Sequence, residues 1–337
     1  MILVTGATGH IGNVLVRYLR EREETVRALI FPGEDTRPIE GLGVEMVEGD
    51  VLDVESLRNA MDGVNIVYHL AGVISIMPGK YPLLYRVNVG GTQNILQVCK
   101  EKGVERLIYT SSIHALGAIE HGILLDERLG YNPDHVMGDY DRTKALASLE
   151  VLNAVKRDGL DAVVVCPTWV IGPYDFRQSE MGSLIYGFTQ KKPHFIIDGA
   201  YDFVDVRDVA KGQILACEHG RTGESYILSG ERLNLANLVN LVEEINGVWT
   251  SRINLPLWLA KTASVFTPAY YQLFHAKPQF TPYSIRTITS NSHVSHAKAQ
   301  TELGYHPRSL RETVHDTVTW ITENQWLWKH QNQKSRS

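Results

Sequence analysis

The chain has 337 residues, enough for about two domains of ~150 residues or for one large α/β unit with an elaborated end. Hydrophobic residues make up 44% and charged residues 21% of it, a composition that excludes disordered and fibrous proteins. The net charge is -5, so there is no whole-protein basic field to hold nucleic acid. We therefore expect a globular protein whose partner is a small molecule and not a nucleic acid.

The cysteines and the apolar stretches bear on where the protein works. Cys99, Cys166 and Cys217 are far apart and in no CxxC spacing, which predicts neither a disulfide framework nor a zinc site. The apolar start of the chain breaks at Gly6, too early for an export signal. The most apolar later stretch, 255–266, is too short to cross a bilayer. These observations predict a cytoplasmic location and no membrane span.

The first half of the chain alternates short β-branched runs with longer helical patterns. In chain order, the predicted strands cover 1–5, 25–30, 44–48, 65–70, 106–111 and 162–166, and the predicted helices cover 11–22, 53–61, 83–102 and 137–158. This order is typical of repeated βα units, in which helices cover both faces of a parallel sheet. The sequence therefore predicts an α/β protein with a doubly wound, Rossmann-type parallel sheet.

Proline and glycine residues interrupt this alternation from about residue 167, and aromatic residues become denser. A strand over 202–207 and a helix over 209–218 then predict a return to the first unit, followed by helices at 234–246 and 308–323. The predicted Rossmann domain covers 1–171 plus about 201–220, the smaller C-terminal substrate-binding region covers 172–200 plus about 221–325, and 329–337 forms a flexible tail.

A glycine-rich turn separates the first strand from the first helix. Gly6, Gly9 and Gly12 have the spacing that allows a tight turn, a close approach to a pyrophosphate and close packing of the helix on the sheet. Phosphates would contact the N–H groups at the positive end of that helix. The alternative is a plain glycine-rich turn. The position at the first βα junction favours a dinucleotide, NAD or NADP, as cofactor.

The residues after the second and third strands concern the adenosine end of such a cofactor. An acidic residue at the end of the second strand normally binds the ribose 2′-OH, but Glu34 and Asp35 come slightly too late for this role. Arg37 is the nearest cation for a 2′-phosphate, so the choice between NAD and NADP stays open. Asp50, at the end of the third strand, either contacts the adenine edge or caps a helix.

Tyr140 and Lys144 are spaced i, i+4, so on a helix both side chains leave the same face. That spacing also arises by chance. A phenol must become more acidic to exchange protons at neutral pH, and a nearby ammonium group has that effect. Ser112 ends the fifth strand, at the sheet edge where ligands bind, although a lone serine there is alternatively a turn or cap residue. The order of glycine turn, strand-end serine and tyrosine–lysine helix predicts an active site.

Several motifs together resemble one family. They are TGATGHIG at 5–12, YHLAG at 68–72, Asn88 in RVNVGGTQNIL, YTSS at 109–112, YDRTK at 140–144, CPT at 166–168 before VIGP, FVDVRD at 203–208 and ELGYHP at 302–307. The set runs from residue 1 to about 323 and is similar to the extended branch of the short-chain dehydrogenase/reductases. Within that branch it looks closest to bacterial dihydroflavonol-reductase-like proteins, including hopanoid-associated sugar epimerases, and is similar to 3-beta-hydroxysteroid dehydrogenases.

The resemblance implies roles for particular residues. Tyr140 would be the acid/base, Lys144 would hold the nicotinamide ribose and the tyrosine, and Ser112 would orient the substrate oxygen. Asn88 would support the site and Pro167 would lie beside the nicotinamide. The full set of predicted cofactor-binding residues is Gly6, Thr8, Gly9, His10, Ile11, Gly12, Asp50, Val51, Leu70, Ala71, Gly72, Asn88, Tyr140, Lys144 and Pro167.

The sequence departs from the family pattern in two places. Relatives of this kind often carry an arginine where Phe31 stands, which puts their usual NADP preference in doubt here. Nucleotide-sugar dehydratases of the branch have an Asp-Glu pair just after the strand-five serine or threonine, whereas Ile113 and His114 follow Ser112. This difference argues against dehydratase activity.

Apolar and aromatic residues predict a hydrophobic substrate pocket above the nicotinamide, with core packing as the alternative. They are Ile74, Ile76, Met77, Ile113, His114, Trp169, Tyr174, Phe176 and Tyr186. His114 is alternatively a surface or pocket-wall histidine. His293 and His296 form an HxxH spacing with no defined carboxylate partner, so we predict no metal site. The apolar segment 255–274 is either a substrate lid or an interfacial patch.

These observations predict an NAD(P)-dependent oxidoreductase that reduces a fairly hydrophobic ketone or aldehyde, or oxidises a secondary alcohol, with Tyr140, Lys144 and Ser112 at its centre. One alternative is a nucleotide-sugar epimerase that keeps NAD tightly bound. Another is a non-catalytic NAD(P)-sensing regulator, which would not need the proton donor. Many members of the branch form dimers through helices like 83–102 and 137–158, so a homodimer is one option for this chain.

Overall fold

The structure is a computed structural model that describes residues 1–75, 79–117, 122–265 and 281–329. Its strands are β1 (Ile2–Thr5), β2 (Val26–Ile30), β3 (Glu45–Glu48), β4 (Ile66–His69), β5 (Arg106–Thr110), β6 (Ala162–Pro167), β7 (Trp169–Ile171), β8 (His194–Ile196), β9 (Ala200–Asp205), β10 (Ser225–Leu228), β11 (Glu231–Asn234) and β12 (Arg252–Asn254).

The α-helices run between and after these strands. They are α1 (His10–Glu21), α2 (Val54–Ala60), α3 (Tyr81–Leu84), α4 (Gly91–Lys102), α5 (Asp139–Asp158), α6 (Glu180–Thr189), α7 (Val206–His219), α8 (Leu235–Asn246), α9 (Leu257–Val265), α10 (Pro282–Ile288), α11 (Ala297–Leu303), α12 (Leu310–Glu323) and α13 (Gln325–Lys329).

Among the described residues, seven parallel strands form the central sheet in the order β10-β6-β5-β4-β1-β2-β3. The direction of winding reverses between β1 and β4, where Thr5 pairs in register with His69. In open sheets of this kind, ligands bind in the crevice outside the carboxyl ends of the strands at that reversal. The topology confirms the predicted doubly wound α/β fold.

Alternate residues of each central strand face opposite layers of helices. In β6, Val163 and Val165 pack in the same core as α1 and α7, whereas Ala162 and Val164 pack in the core formed with α4 and α5. Successive side chains of a strand point to opposite faces, and both faces of this sheet are covered. The strand is therefore apolar throughout, which is why the sequence showed continuous apolar runs instead of alternation.

Smaller sheets build the second unit of the described chain. Strand β9 pairs with β7 and β11, and β8 pairs with β12, around a third core that includes α6, α8 and α12. The strand predicted over 202–207 therefore exists as β9, but it lies outside the central sheet. The C-terminal region also returns to the first unit, because β10 pairs with β6 and α11 packs in the α1–α7 core. The predicted division at about residue 220 differs from this topology.

The helix predicted over 83–102 is divided. A π-helical segment, Tyr85–Gly90, separates α3 from α4 and contains Asn88. Insertions of this kind are frequent at functional sites. Three other predictions fall partly outside the described residues: Ile76 and Met77 of the pocket, positions 266–274 of the apolar segment, and positions 330–337 of the tail.

Candidate active site

The glycine turn joins the end of β1 to the start of α1. Gly6 has a φ of +68°, and a Cβ there would lie 2.8 Å from the backbone nitrogen of Ala71. A Cβ on Gly12 would lie 2.1 Å from the carbonyl oxygen of Gly6. Only glycine fits at both positions, and the first N–H groups of α1 are left without helical partners. A cradle of backbone donors at the positive end of a helix fits a pyrophosphate.

The predicted residues around this turn have the following contacts. His10 Nε2 lies 2.9 Å from the carbonyl oxygen of Pro173, and Thr8 Oγ1 accepts a hydrogen bond from Arg177 at 2.6 Å. Ile11 packs against the core beneath the turn. The polar side-chain atoms of Thr8 and His10 are therefore already hydrogen-bonded to the second unit. Any contact with phosphate would come from the backbone of the turn.

The end of β4 lies directly beside the turn. The amide nitrogens of Leu70 and Ala71 donate to Thr5, at 3.2 Å to its carbonyl oxygen and at 3.1 Å to its Oγ1. His69 lies between Thr5 Oγ1 at 2.8 Å and Thr92 Oγ1 at 3.1 Å, and burial lowers its pKa to about 3. These hydrogen bonds, made with His69 in its neutral form, hold the ends of β1 and β4 together at the crevice.

Asn88 connects the end of β4 to the helix that carries the tyrosine and lysine. Its Oδ1 accepts from the amide of Val73 at 2.8 Å, and its Nδ2 donates to Thr143 Oγ1 at 3.0 Å. A Cβ on Gly72 would lie 3.1 Å from that Oδ1 and 3.7 Å from Lys144 Nζ. The π-helical segment therefore delivers an amide that fixes the position of α5 relative to the strand end.

Ser112, Tyr140 and Lys144 meet at the carboxyl end of β5. The Ser112 Oγ accepts from the amide of His114 at 3.3 Å, and the Ser112 side chain is near enough to Tyr140 to lower the pKa of the phenol. Lys144 Nζ donates to the carbonyl oxygen of Thr110 at 2.7 Å. The structure thus brings together the three residues that sequence order predicted, on the edge where the crevice opens.

The electrostatics of this group differ from the expectation that the lysine makes the phenol more acidic. Burial, with a smaller effect of Asp141, raises the pKa of Tyr140 above its usual value, and the nearby Ser112 side chain opposes this. Burial also lowers the pKa of Lys144 to about 8. Removal from water favours the neutral form of both groups, and Lys144 is not among the groups that shift the pKa of Tyr140. At neutral pH the phenol keeps its proton.

An aromatic wall lies next to Ser112. The rings of His114 and Trp169 meet edge to face with centroids 4.9 Å apart, and Trp169 lies 4.9 Å from Tyr201. Ile113, His114 and Trp169 line a pocket whose other walls come from the segments around residues 117, 125, 137 and 290–294. These three predicted pocket residues therefore share one cavity.

The other predicted pocket residues have different neighbours. Tyr186 stacks on Trp328, and Tyr174 lies under the guanidinium of Arg17, 4.5 Å from ring centroid to Cζ. Phe176 packs against Trp320 and lines a second cleft. Ile74 is exposed. Among the described residues, the structure does not gather these four into the pocket beside Trp169.

Two residues that sequence reasoning missed, Asp141 and Tyr283, form a hydrogen bond beside Tyr140. The hydroxyl of Tyr283, on α10, donates to Asp141 Oδ1 at 2.6 Å, and the Tyr283 and His114 ring centroids are 6.2 Å apart. A Cβ on Gly138, which precedes α5, would lie 2.6 Å from the Tyr283 ring. Tyr283 therefore fastens the C-terminal region to the first turn of α5. No sequence pattern could reveal a bond between residues 142 positions apart.

The adenosine end of the predicted cofactor site is a second cleft of about 500 Å³, lined by Phe31, Pro32, Gly33, Glu34, Asp35, Pro38, Phe176 and Arg177. The chain turns back at Gly33, which has a φ of +78°, and Glu34 Oε2 accepts from the amide of Phe31 at 3.2 Å. The turn places the Glu34 carboxylate at the end of β2. Glu34 is therefore nearer to the strand end than its place in the sequence indicates, and its role towards a ribose stays a prediction.

Three other predicted cofactor-binding residues, Asp50, Val51 and Pro167, have contacts with nearby backbone or core residues. Asp50 Oδ1 accepts from the amide of Leu52 at 2.9 Å, which favours the turn or cap interpretation. Val51 is buried against Gly91, and Pro167 ends β6 opposite Leu228.

Two wider searches of the described residues gave no further site. Within 1–75, 79–117, 122–265 and 281–329, no group of three or more His, Cys, Asp or Glu side chains has the arrangement of a metal site. No helix in these same ranges combines the length and the apolar character needed to span a membrane.

Residues 2–236 match the NAD dependent epimerase/dehydratase family, and the chain belongs to that family. Its members are NAD-dependent oxidoreductases, epimerases and dehydratases of the extended short-chain type. This membership confirms the resemblance drawn from the motifs and the predicted class of enzyme.

Among curated relatives, the chain is 36% identical over 323 residues to sterol demethylase protein B of Methylococcus capsulatus, covering 95% of this chain and 98% of that protein. It is 31% identical over 328 residues to a putative dihydroflavonol 4-reductase of Synechocystis, covering 96% and 95%.

Among solved structures, the crystal structure of gox2253 matches with a TM-score of 0.83 and 32% identity, covering 96% of this chain and 98% of that chain. A UDP-glucose 4-epimerase of Thermus thermophilus, crystallised with NAD, matches with a TM-score of 0.77 at 22% identity, covering 96% and 99%. The latter match shows the shared fold.

Proposed function

We propose that the protein is an NAD(P)-dependent oxidoreductase that reduces a fairly hydrophobic ketone or aldehyde, or in reverse oxidises the secondary alcohol. The observation that carries this proposal is the meeting of Ser112, Tyr140 and Lys144 at the carboxyl end of β5, where Ile113 and His114, the residues after Ser112, line a partly aromatic pocket. The glycine cradle, with no room for a Cβ at Gly6 or Gly12, supports the binding of a dinucleotide.

A bound dinucleotide would supply or accept the hydride at its nicotinamide ring. In the reducing direction, Tyr140 donates its proton to the oxygen of the substrate as negative charge develops there. Ser112 donates a hydrogen bond to the same oxygen and holds it beside the phenol. Lys144, fixed by the carbonyl of Thr110, holds a positive charge beneath both groups.

The protonation states favour reduction near neutral pH. The raised pKa of Tyr140 keeps the phenol protonated, and a pKa of about 8 keeps most of Lys144 charged. A proton donor is therefore ready before the reaction begins. The oxidation of an alcohol would need the opposite state of Tyr140 and would be favoured at higher pH.

The pocket and the relatives bear on the substrate class. Ile113, His114 and Trp169 offer apolar and aromatic surface, which suits a ring system better than a sugar diphosphate. The cavity between them has a volume of only about 20 Å³, so a ring system enters it only if its walls move apart. The named relatives include a sterol demethylase protein and a putative dihydroflavonol 4-reductase, both named for compounds with fused rings. We therefore place sterol-like and flavonoid-like ketones first among the substrates to test.

A nucleotide-sugar epimerase is the second candidate, because the fold is shared with a UDP-glucose 4-epimerase. Such an enzyme returns the hydride to the opposite face of the substrate and shows no net consumption of cofactor. Stoichiometric NAD in the purified protein, with no change in nicotinamide absorbance during turnover, would favour this candidate.

The test is a panel of ketones and aldehydes assayed with NADH and with NADPH, for the natural protein and for Tyr140→Phe. We expect Tyr140→Phe to reduce kcat by about 10²-fold to 10⁴-fold, because it removes only the proton donor. Tyr18→Phe, on α1 and partly buried under Lys211 of α7, is the matched control and should keep its activity. Turnover by Tyr140→Phe at the natural rate would overturn the role of Tyr140 as proton donor, whereas cofactor binding without turnover of any compound by the natural protein would favour the non-catalytic regulator.

Two further proposals follow from the sequence and the structure. Cys99, Cys166 and Cys217 are all free, which supports a reducing compartment such as the cytoplasm. Dimer formation through α4 and α5 stays a prediction, which sedimentation analysis of the purified protein would test.

A further inference from the structure

The C-terminal region has a charge distribution that differs from the rest of the chain. Residues 245–301 contain five lysine and arginine residues and no aspartate or glutamate, whereas all 38 acidic residues of the protein lie outside this stretch. Since the whole chain has a net charge of -5, the stretch is a basic region of a protein that is acidic overall. A local field of this kind attracts an anionic partner.

The cations of this stretch differ in whether the protein neutralises them. Arg252 and Lys298 are paired with carboxylates of other segments, and Lys277 lies outside the described residues. Lys261 on α9 and Arg286 on α10 are exposed, and no ion pair within the described ranges includes either of them. The charges that the protein leaves without a carboxylate therefore lie on α9 and α10.

The same part of the structure exposes large apolar side chains. On α9, Trp258 and Val265 are 69% and 67% exposed. Lys261 and Val265 follow Trp258 at i+3 and i+7, so the three side chains share the outer face of the helix. Phe195 of β8 and Ile253 of β12 are also exposed, and they lie side by side because they are partners in the parallel ladder. Groups of exposed apolar residues mark contacts with proteins or membranes.

The inner side of α9 is packed against the rest of the second unit. Ala260 lies in one small core with Ile197, which follows β8, and with Ile285 of α10. Helix α10 in turn reaches the candidate active site, because its Tyr283 donates to Asp141 in the first turn of α5. The exposed face of α9 is therefore connected to the candidate active site through one short helix.

We propose that a docking surface formed by Phe195, Ile253, Trp258, Lys261, Val265 and Arg286 binds the surface of a bilayer that contains anionic phospholipids. Trp258 and Val265 enter the boundary between headgroups and acyl chains, and Lys261 and Arg286 bond the lipid phosphates. For the proposed reductase, on which this consequence rests, a hydrophobic ketone then reaches the crevice from the lipid without first dissolving in water.

The composition of the docking surface favours a bilayer over other partners. Tryptophan suits the membrane interface, and lysine and arginine extend their charged groups to the phosphates while their stems stay in apolar surroundings. A second copy of the chain would bring the same unpaired cations together, which like-charge repulsion opposes. A nucleic acid would match the cations but leave the exposed apolar side chains in water.

The test is sedimentation of the full chain with lipid vesicles, in the absence of dinucleotide and ketone. Vesicles of phosphatidylcholine alone are compared with vesicles that also contain phosphatidylglycerol, at low and at high salt. One double variant, Lys261→Gln with Arg286→Gln, removes both cations. A second, Trp258→Ser with Val265→Ser, removes the apolar side chains of the outer face of α9.

Two matched controls carry the same kinds of substitution elsewhere on the surface. Lys156→Gln with Arg157→Gln removes two exposed cations at the end of α5. Trp326→Ser removes an exposed tryptophan from α13. Both controls should bind vesicles as the natural protein does.

We expect the natural protein to bind the anionic vesicles about 10-fold or more tighter than the neutral ones, and high salt to remove most of this difference. The variant without the two cations should lose about 10-fold to 30-fold in affinity for the anionic vesicles. The variant without Trp258 and Val265 should bind both kinds of vesicle more weakly, by about 10-fold or more.

Four results would overturn the inference. They are no binding of the natural protein to anionic vesicles, equal binding to both kinds of vesicle, losses in the controls as large as those in the surface variants, and a dimer of the natural protein that Trp258→Ser with Val265→Ser converts to a monomer. The last result would show that this face binds a second copy of the chain. Melting temperatures show whether each variant is folded.

The outcome of this assay does not depend on the proposed function, because neither dinucleotide nor ketone is present. If the vesicles bind the protein as expected but no ketone or aldehyde is reduced, the docking surface stands and only the delivery of a ketone from the lipid fails.

Discussion

The two ends of the crevice are built from different kinds of interaction. Around Tyr140 and Lys144 the polar groups are buried and hydrogen-bonded, and burial shifts their pKa values. Around Glu34 and Arg177 the groups are charged and partly exposed. Buried polar networks are rigid and costly to change, whereas partly exposed ion pairs contribute little to stability. The comparison predicts that single substitutions disturb the buried end more than the partly exposed end.

The largest effect that would test this comparison is expected for Lys144→Met. We predict that kcat falls by about 100-fold or more, because the charge beneath the tyrosine is lost. The variant should nevertheless be about 2 kcal/mol more stable at pH 7, since burial of the ammonium opposes folding and the lost hydrogen bond returns only part of that.

The pH dependence gives an independent check on the same residue. The pKa of Lys144 falls from 10.5 to about 8 on folding, so between these values the unfolded chain binds more protons than the folded protein. The stability of the natural protein should therefore rise with pH over that interval, and this rise should be absent from Lys144→Met. Urea unfolding at pH 7 and pH 9.5 measures both. A less stable variant with the same pH slope would contradict the prediction.

A smaller effect is expected at the glycine turn, which lies between the two ends of the crevice. A Cβ on Gly12 would lie 2.1 Å from the carbonyl of Gly6, so Gly12→Ala must move the turn, at a cost of about 1–3 kcal/mol. NADH binding should weaken by about 10-fold to 100-fold as a result. Gly187→Ala, where the new methyl group meets nothing within 4 Å, should bind NADH normally. Equal binding by both variants would show that the turn does not hold the cofactor.

The contact between Tyr283 and Asp141 should have a moderate effect on catalysis. Tyr283→Phe removes the hydrogen bond that opposes the raised pKa of Asp141, so that pKa should rise further. We expect kcat to fall by about 10-fold, KM for the dinucleotide to stay the same, and the acidic limb of the kcat profile to move to higher pH.

Tyr305→Phe is the control for this variant, because it removes a buried hydroxyl bond to the carbonyl of Ser229. It should lower the melting temperature without moving the pH profile. If both variants lose only stability, Tyr283 has a structural role and does not position the tyrosine.

The smallest effect is predicted for the stability of Glu34→Gln. Glutamine can still accept from the amide of Phe31, and the ion pair with Arg177 is partly exposed. We expect the free energy of unfolding to change by less than about 1 kcal/mol. Denaturant unfolding without cofactor measures this. If the free energy of unfolding falls as much as it does on removal of a buried polar group, the two ends of the crevice do not differ in this respect.

Much of the end around Tyr140 could be predicted because its residues form patterns within single elements or at the junctions between them. The glycine spacing, the strand-end Ser112 and the i, i+4 pair of Tyr140 and Lys144 each follow from the geometry of one element and one junction. The electrostatics could not be predicted in the same way. The pKa of a phenol depends on how completely the fold removes it from water, and no spacing in the sequence reports that.

The adenosine end was harder to predict because its partners come from distant parts of the chain. Arg177 lies 143 residues from Glu34 and 169 residues from Thr8, and it reaches them only through the loop after β7. A straight residue count from β2 places Glu34 too far along the chain because it ignores the turn at Gly33. The contact of Tyr283 with Asp141 also joins distant parts of the chain, so the sequence did not reveal it. For the same reason the sequence predicted Tyr186 in a pocket, whereas the structure stacks it on Trp328.

The sequence by itself determined the parallel sheet, the glycine turn and the choice of Ser112, Tyr140 and Lys144 as the residues proposed to act in proton transfer. These features depend on periodicity and on turns between neighbouring elements, which act over a few residues. Only the tertiary structure decided which residues of the second unit close over the cleft, which tyrosine braces α5, and which charge state the catalytic phenol holds. Those outcomes arise from burial and from contacts between segments far apart in the chain, and they exist only once the two units have packed together.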